Sequence, residues 1–243
     1  MNRPPITPEL AELCGIISGD GHLSRYVSKR RADYRIEVVG NITEDKEYFT
    51  YVKSLFRDVF GREFTLRHEQ GYARLYLNSK EIVLFLEEIG LIVGKKSDKI
   101  RIPELFLKDI NLTCHFIRGL ADTDFSVNFK KGGRKTNSYP KIVAEFASLP
   151  LMEDLLRVFE KLGFRYYHQD VRKKTNFGEF THYRIELNGR KNLQKWMEHI
   201  GFRNSKHLTK LLLWKKCGFC PPHTSLSERL ERIKGVGTVE PPP

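Results

Sequence analysis

The chain has 243 residues, enough for one large or two small domains with real apolar cores. Lys and Arg number 42 against 30 Asp and Glu, and the formal charge of +12 favours a polyanionic partner without separating DNA from RNA. No apolar run reaches the roughly 20 residues that span a bilayer, no secretory segment follows Met1, and four cysteines (Cys14, Cys114, Cys217, Cys220) are too few for a disulfide scaffold, so a soluble intracellular protein is expected.

In chain order, the first element is an apolar helix that runs into Leu13-Cys14-Gly15-Ile16-Ile17-Ser18-Gly19-Asp20-Gly21. Alternation then predicts a strand over Tyr34–Ile42, a helix over Glu44–Val59, strands over Glu63–His68 and Tyr72–Asn78 joined at Glu69-Gln70-Gly71, and a helix over Lys80–Glu88. After a linker at 104–111 the order repeats. A helix runs into Ile117-Arg118-Gly119-Leu120-Ala121-Asp122-Thr123-Asp124-Phe125, followed by strands over Phe125–Lys130 and Lys141–Ser148 and a helix over Leu151–Leu162. Strands over Tyr166–Arg172 and His182–Asn188 and a helix over Leu193–His199 complete the second half. The halves are expected at 8–103 and 112–222, with a C-terminal extension at 223–243 that holds a short amphipathic helix over Ser227–Lys234 and an otherwise disordered tail.

Landmarks recur in the same order, which marks an internal duplication. Asp20 matches Asp124, Tyr76-Leu77-Asn78 matches Glu186-Leu187-Asn188, and Gly90-Leu91 with Lys95 and Lys99 matches Gly201-Phe202 with Lys206 and Lys210. Each half therefore reads as a small antiparallel sheet with helices on one face, an α+β architecture. With Ile36, Val38, Leu75 and Leu77 inward, Arg35, Glu37, Asn41, Arg74, Tyr76 and Asn78 point outward. In the second half Ser126, Asn128, Lys130, His182, Arg184 and Glu186 do the same. Such residues suit base edges in a major groove that admits a two-stranded ribbon. A solvated sheet face gives the same pattern on any single strand; recurrence in both halves favours a DNA-binding saddle. The basic segments at 25–33 and 130–135 read either as phosphate-wrapping or as plain solvated loops.

Gly15 and Gly19 lie four apart on one helix face, and Gly119 and Thr123 repeat that small-residue spacing, so the two apolar helices are expected to pack closely on each other. Asp20 and Asp124 would then emerge together, an unfavourable pair unless a hard divalent cation intervenes. Together, the duplicated motifs resemble the paired signature segments of the LAGLIDADG homing endonuclease family in its single-chain, two-motif form, over about residues 8–222.

That resemblance implies a duplicated α-β-β-α-β-β-α fold and a site-specific endonuclease that cuts both strands of a long, imperfectly symmetric duplex DNA site to leave short 3′ overhangs. It implies a monomer with pseudo-two-fold symmetry. Asp20 and Asp124 take the metal-binding catalytic positions, with Gly19 and Thr123 beside them in the metal site. The implied cofactor is Mg²⁺, with Mn²⁺ able to substitute and Ca²⁺ able to bind without supporting cleavage. Asp122 is read as a local cap, since its counterpart is Ser18. Lys95 and Lys206 match the basic residue near the start of each closing helical segment, with Lys96 a close competitor. Phe125 departs from the usual Gly, which leaves open whether the turn after Asp124 is altered or Phe125 simply begins a core strand. An RNA maturase acting on intron RNA, or a non-cleaving DNA-binding protein of the same fold, is the alternative. Cys217 and Cys220 have partial zinc spacing, although a packed turn accounts for them more simply.

Overall fold

The computed structural model describes residues 3–28, 32–175 and 178–235. The first half runs α1 (Pro8–Ser18), β1 (Gly21–Val27), β2 (Ala32–Asn41), α2 (Lys46–Phe60), β3 (Thr65–His68), β4 (Tyr72–Asn78) and α3 (Lys80–Glu88). A short helix, α4 (Glu104–Leu107), leads to α5 (Ile110–Asp124), β5 (Ser126–Lys130), β6 (Tyr139–Phe146), α6 (Leu149–Lys161), β7 (Tyr166–Thr175), β8 (Gly178–Asn188) and α7 (Arg190–His199). Two further helices, α8 (Ser205–Cys217) and α9 (Leu226–Gly235), close the described chain. No described helix is long and apolar enough to cross a membrane.

Both sheets are four-stranded and antiparallel with the same order, β1-β2-β4-β3 and β5-β6-β8-β7. One correction to the strand reading concerns β1. Its outer residues from Arg25 are exposed and lead into the basic segment, which reads as a loop, yet Leu23 pairs with Ile36 and is buried. Of the basic segment at 25–33, residues 29–31 lie outside the described residues, as does the tail from 236. The alternation itself holds: Ile36, Val38 and Leu75 are buried in the first half and Val127, Ile142, Ile185 and Leu187 in the second. Helices α2 and α6 cover these faces with Phe49, Val52 and Phe56, and with Leu151, Leu155 and Phe159.

A second difference lies in the closing segments. Residues 89–103 form turns and bends rather than a regular helix, with Gly94 at φ 89° and its N–H bonded to Leu23 O, whereas the matching stretch of the second half enters the 13-residue α8. Each closing segment crosses to the other half. Ser148 Oγ donates to Ile100 O and the buried Asp154 accepts from Ile102 N–H, while Asn204 Nδ2 donates to Asp45 Oδ1.

Candidate active site

Thr7 caps α1 by accepting from Leu10 N–H, with Pro8 in the first turn; Asp109 caps α5 by accepting from Asn111 N–H. The two helices then pack with backbones nearly in contact. A Cβ on Gly15 would lie 2.0 Å from Phe116 O, and one on Gly119 would lie 2.0 Å from Glu12 O. At the far end of the same seam a Cβ on Gly19 would meet Thr123 Oγ1 at 2.0 Å and Asp124 Oδ2 at 2.1 Å. The four small residues picked out in the sequence thus form the interface, and at Gly15, Gly19 and Gly119 nothing larger than a hydrogen fits.

Asp20 and Asp124 meet at this convergence. Each precedes the first strand of its own sheet, Asp20 before β1 and Asp124 before β5. Both side chains keep an exposed edge at the mouth of the seam, but packed chain surrounds them on the other sides. Loss of hydration, then the charge of Asp124, raises the Asp20 pKa to about 6. Asp124 is also raised, by loss of hydration, while its hydrogen bond from Thr123 Oγ1 at 2.9 Å favours the charged form. Two carboxylates held together against their own repulsion, with oxygens open at the surface, form a donor set that suits a hard divalent cation.

Two lysines supply the strongest opposing charge on both acids, Lys96 and Lys206. Lys96 Nζ donates to three carbonyls at the end of α1, Ile17 O, Ser18 O and Gly19 O, each at 2.7 Å. These are carbonyls left without partners where the helix stops, and a cation there also faces the negative end of the helix dipole. Burial lowers the Lys96 pKa to about 8, against the pull of Asp124 and Asp20. Lys206, in the first turn of α8, sits 3.5 Å from Asp45 Oδ1. Lys95, the repeat counterpart of Lys206, is exposed, while Lys96 is the lysine turned inward onto α1. The turn at Gly94 stands where the second half enters α8, so the matched lysines do not sit on matched backbone. Gly19 O, expected at a metal, is matched here by the ammonium of Lys96.

Asp122 is fully buried and caps the turn before α8: its carboxylate accepts from Arg203 N–H and Asn204 N–H at 2.9 Å. Phe125 is also settled. Its backbone is extended (φ −89°, ψ 159°), which any residue adopts, and its ring packs against Trp196 and Phe146 with centroids 5.3 and 5.7 Å away. The glycine is needed in the first half instead, where a Cβ on Gly21 would lie 2.5 Å from Ile17 Cα.

On the outer sheet faces the register places the expected residues in rows. Arg35 faces Asn78, Glu37 faces Tyr76 and Asn41 faces Tyr72; Ser126 faces Val143, Asn128 faces Lys141 and Lys130 faces Tyr139. Arg74 lies on the same face and pairs with Glu37 at 2.8 Å; Arg184 pairs with Glu186 at 3.0 Å; His182 contacts Glu145 at 3.3 Å. Asn41 differs, because its Oδ1 accepts from Thr43 N–H and Glu44 N–H and is spent on the turn into α2. Lys141 and Glu145, paired with Glu186 and Lys173, belong to this face but were not singled out from sequence, although the alternation along β6 marks them. Cys220 is buried and its N–H donates to Asn137 O, while Cys217 is partly exposed.

The LAGLIDADG-like domain family model matches residues 111–201. Residues 111–201 thus form a LAGLIDADG-like domain, and the first half repeats its sheet order. It is similar to the solved structure of mesophilic variants of the homing endonuclease I-DmoI (TM-score 0.58, 16% identity, covering 81% of this chain and 96% of that one). It is also similar to the LAGLIDADG homing endonuclease I-GzeII in complex with its DNA target (TM-score 0.56, 10% identity, 88% and 90% covered). At these identities the likeness concerns the fold. Among curated proteins it is 30% identical over 215 residues to a replication factor C small subunit of Methanocaldococcus jannaschii, covering 87% of this chain and 10% of that protein. It is 25% identical over 208 residues to a glutamine–fructose-6-phosphate aminotransferase of the same organism, covering 84% and 17%. The chain thus spans well under a quarter of the length of either relative.

Proposed function

We propose that this protein is a site-specific endonuclease that binds a long, imperfectly palindromic duplex DNA and hydrolyses both strands, leaving short 3′ overhangs. The observation that carries the reading is the convergence of Asp20 and Asp124 at the end of a glycine-packed helix pair, each joined directly to a sheet whose outer face is lined with polar and charged side chains.

The relatives add support of another kind. A replication factor, an aminotransferase, a tRNA-splicing ligase and a DNA polymerase share no activity by name, yet each aligns with this chain over 208 to 215 residues amounting to 10 to 21% of its length. A module common to such different proteins has its own function, separate from theirs. Solved relatives of the same fold were crystallised with target DNA and Mn or Ca, which accords with a divalent cation here.

In this reading Asp20 and Asp124 hold the cation, and their raised affinity for positive charge in the metal-free state is what the cation relieves. When bound, Mg²⁺ supplies Lewis-acid activation of water and neutralises charge on the scissile phosphate. Lys206 presents a positive charge to both acids and is oriented by Asp45. Lys96, taking the part expected of Lys95, fixes the α1 terminus so that Asp20 is held in place. Arg35, Arg74, Arg184 and their partners form preset donor and acceptor pairs for base edges, with the basic excess supplying phosphate contacts.

The test is incubation with a randomised duplex library and Mg²⁺, sequencing cut ends beside an EDTA control. Recurrent double-strand cuts within one long motif are expected. Enrichment by binding without cuts would replace this reading with a non-cleaving or RNA-directed one.

A further inference from the structure

We infer that the C-terminal helix α9 is a clasp that positions Lys206 through Arg229, and that it serves only one of the two strand-cutting centres. The inference rests on the endonuclease reading above.

Arg229 is one of the largest fully buried side chains in the protein, at 1% exposure. A buried guanidinium is costly unless its donors are matched, and here each nitrogen has a partner. Nε donates to Thr209 Oγ1 at 2.9 Å; one terminal nitrogen donates to Thr224 O; the other reaches Glu44 Oε2 at 3.3 Å and Lys206 O at 3.5 Å. Thr209 Oγ1 in turn donates to Ser205 O at 2.7 Å. The guanidinium is therefore tied to the first turn of α8 at Lys206 itself and one turn later at Thr209.

The Glu44 end of the clasp belongs to the other half. Glu44 Oε1 also accepts from Leu226 N–H at the start of α9, at 2.8 Å. The next residue, Asp45, is the one that faces Lys206 Nζ and accepts from Asn204. Two consecutive acids at the entry to α2 thus grip α9 and α8 together. Lys206 is located from its carbonyl side by Arg229 and from its ammonium side by Asp45.

Lys96 has no such arrangement. Its ammonium is anchored on α1 carbonyls, and its segment is pinned across the halves by Ser148, which caps α6, and by Asp154 within that helix. No helix corresponding to α9 follows the first half, where α4 and α5 come next. Loss of the clasp should loosen Lys206 and leave Lys96 as it was. The strand whose cleavage uses Lys206 would slow, and DNA nicked in the other strand would accumulate. Arg229 is a positioning residue, since it reaches the site only through Lys206.

The experiment compares the full chain with Arg229→Met, Arg229→Lys and Glu44→Gln, using Mg²⁺ and target duplexes end-labelled on either strand. Hydrogen exchange at residues 204–210 is read without DNA. Expected are a tenfold or greater rate loss on one strand with Arg229→Met, a smaller loss on that strand with Glu44→Gln, partial rescue with Arg229→Lys, and faster exchange over 204–210. Should Arg229→Met fold poorly, Glu44→Gln decides, because Glu44 is partly exposed and its replacement is nearly isosteric. Equal slowing of both strands, or unchanged rates on both, overturns the proposal. If the wild-type chain cuts no DNA, the endonuclease reading fails and the strand-selective role falls with it; cutting by the wild type with no strand bias in the variants refutes the clasp alone.

Discussion

Gly15→Ala tests whether backbone contact between α1 and α5 builds the site. A Cβ at Gly15 would stand 2.0 Å from the Phe116 carbonyl oxygen, a rigid group inside α5. Ordinary contact starts at 3.4 Å, so the helices must part by about 1.4 Å or more at that level or bend around it. Overpacking of this kind costs up to about 3 kcal/mol where side chains can yield, and backbone yields less. Alanine returns about 1 kcal/mol of helix propensity. The net loss is then about 2 kcal/mol or more, which lowers Tm by at least about 4 °C for a chain of this size. The same separation moves Asp20 from Asp124, and a misplacement of about 1 Å in a catalytic constellation reduces rate about a hundredfold. Thermal unfolding and single-turnover cleavage check both. Gly15→Ala combined with Gly119→Ala should cost less than the sum, because one opening of the seam makes room for both methyl groups. A Gly15→Ala protein with wild-type or higher Tm would refute the close-packing account.

Two further outcomes follow from the charges. Asp20 binds its proton more tightly when folded, with a pKa near 6 against the ordinary 3.8, so its contribution to metal-free stability is gained as pH falls from above 6 towards 4 and is lost as pH rises through 6. Asp20→Asn should therefore abolish cleavage yet raise Tm in EDTA more at pH 7.5 than at pH 5, and equal effects at the two pH values would contradict the assigned repulsion. Lys96→Met leaves three carbonyls at the end of α1 without their shared donor, a loss of about 2 kcal/mol. It should lower both Tm and cleavage, whereas Lys95→Met should change neither; the reverse order in paired melts and cleavage assays would restore the repeat-based assignment.

Much of this architecture was legible because it rests on periodicity. The duplicated helix motifs, the inward and outward rows of β2, β4, β5 and β8, and the bounds of α3 all follow from spacing, and the structure keeps them. What escaped depends on three-dimensional partners. Strand β1 was hidden because only its first residues are buried, and an edge strand whose outer end is exposed on both faces carries no alternating signature. Lys141 carries no mark in the sequence beyond its place on a strand, although it is nearly fully buried and held by Glu186. Arg229 gave no sign at all: a lone arginine on a polar helix becomes informative only once Glu44, 185 residues earlier in the chain, is beside it.

Lys95 and Lys96 show how the two halves of a duplicated protein differ around a shared centre. Repeat alignment assumes that matched residues sit on matched backbone, and within α1 and α5 that assumption holds because glycine contact leaves no freedom to drift. Further from the seam the constraint relaxes. One closing segment is a turn at Gly94, the other is a helix followed by α9, and a lysine from each places its charge against the acids by a different route. Both halves thus supply positive charge beside two crowded carboxylates, an electrostatic need met by Lys96 as well as by Lys206. It follows that the two centres should differ in rate and in their response to mutation, and that a strand-resolved assay will distinguish them where an overall cleavage rate would not.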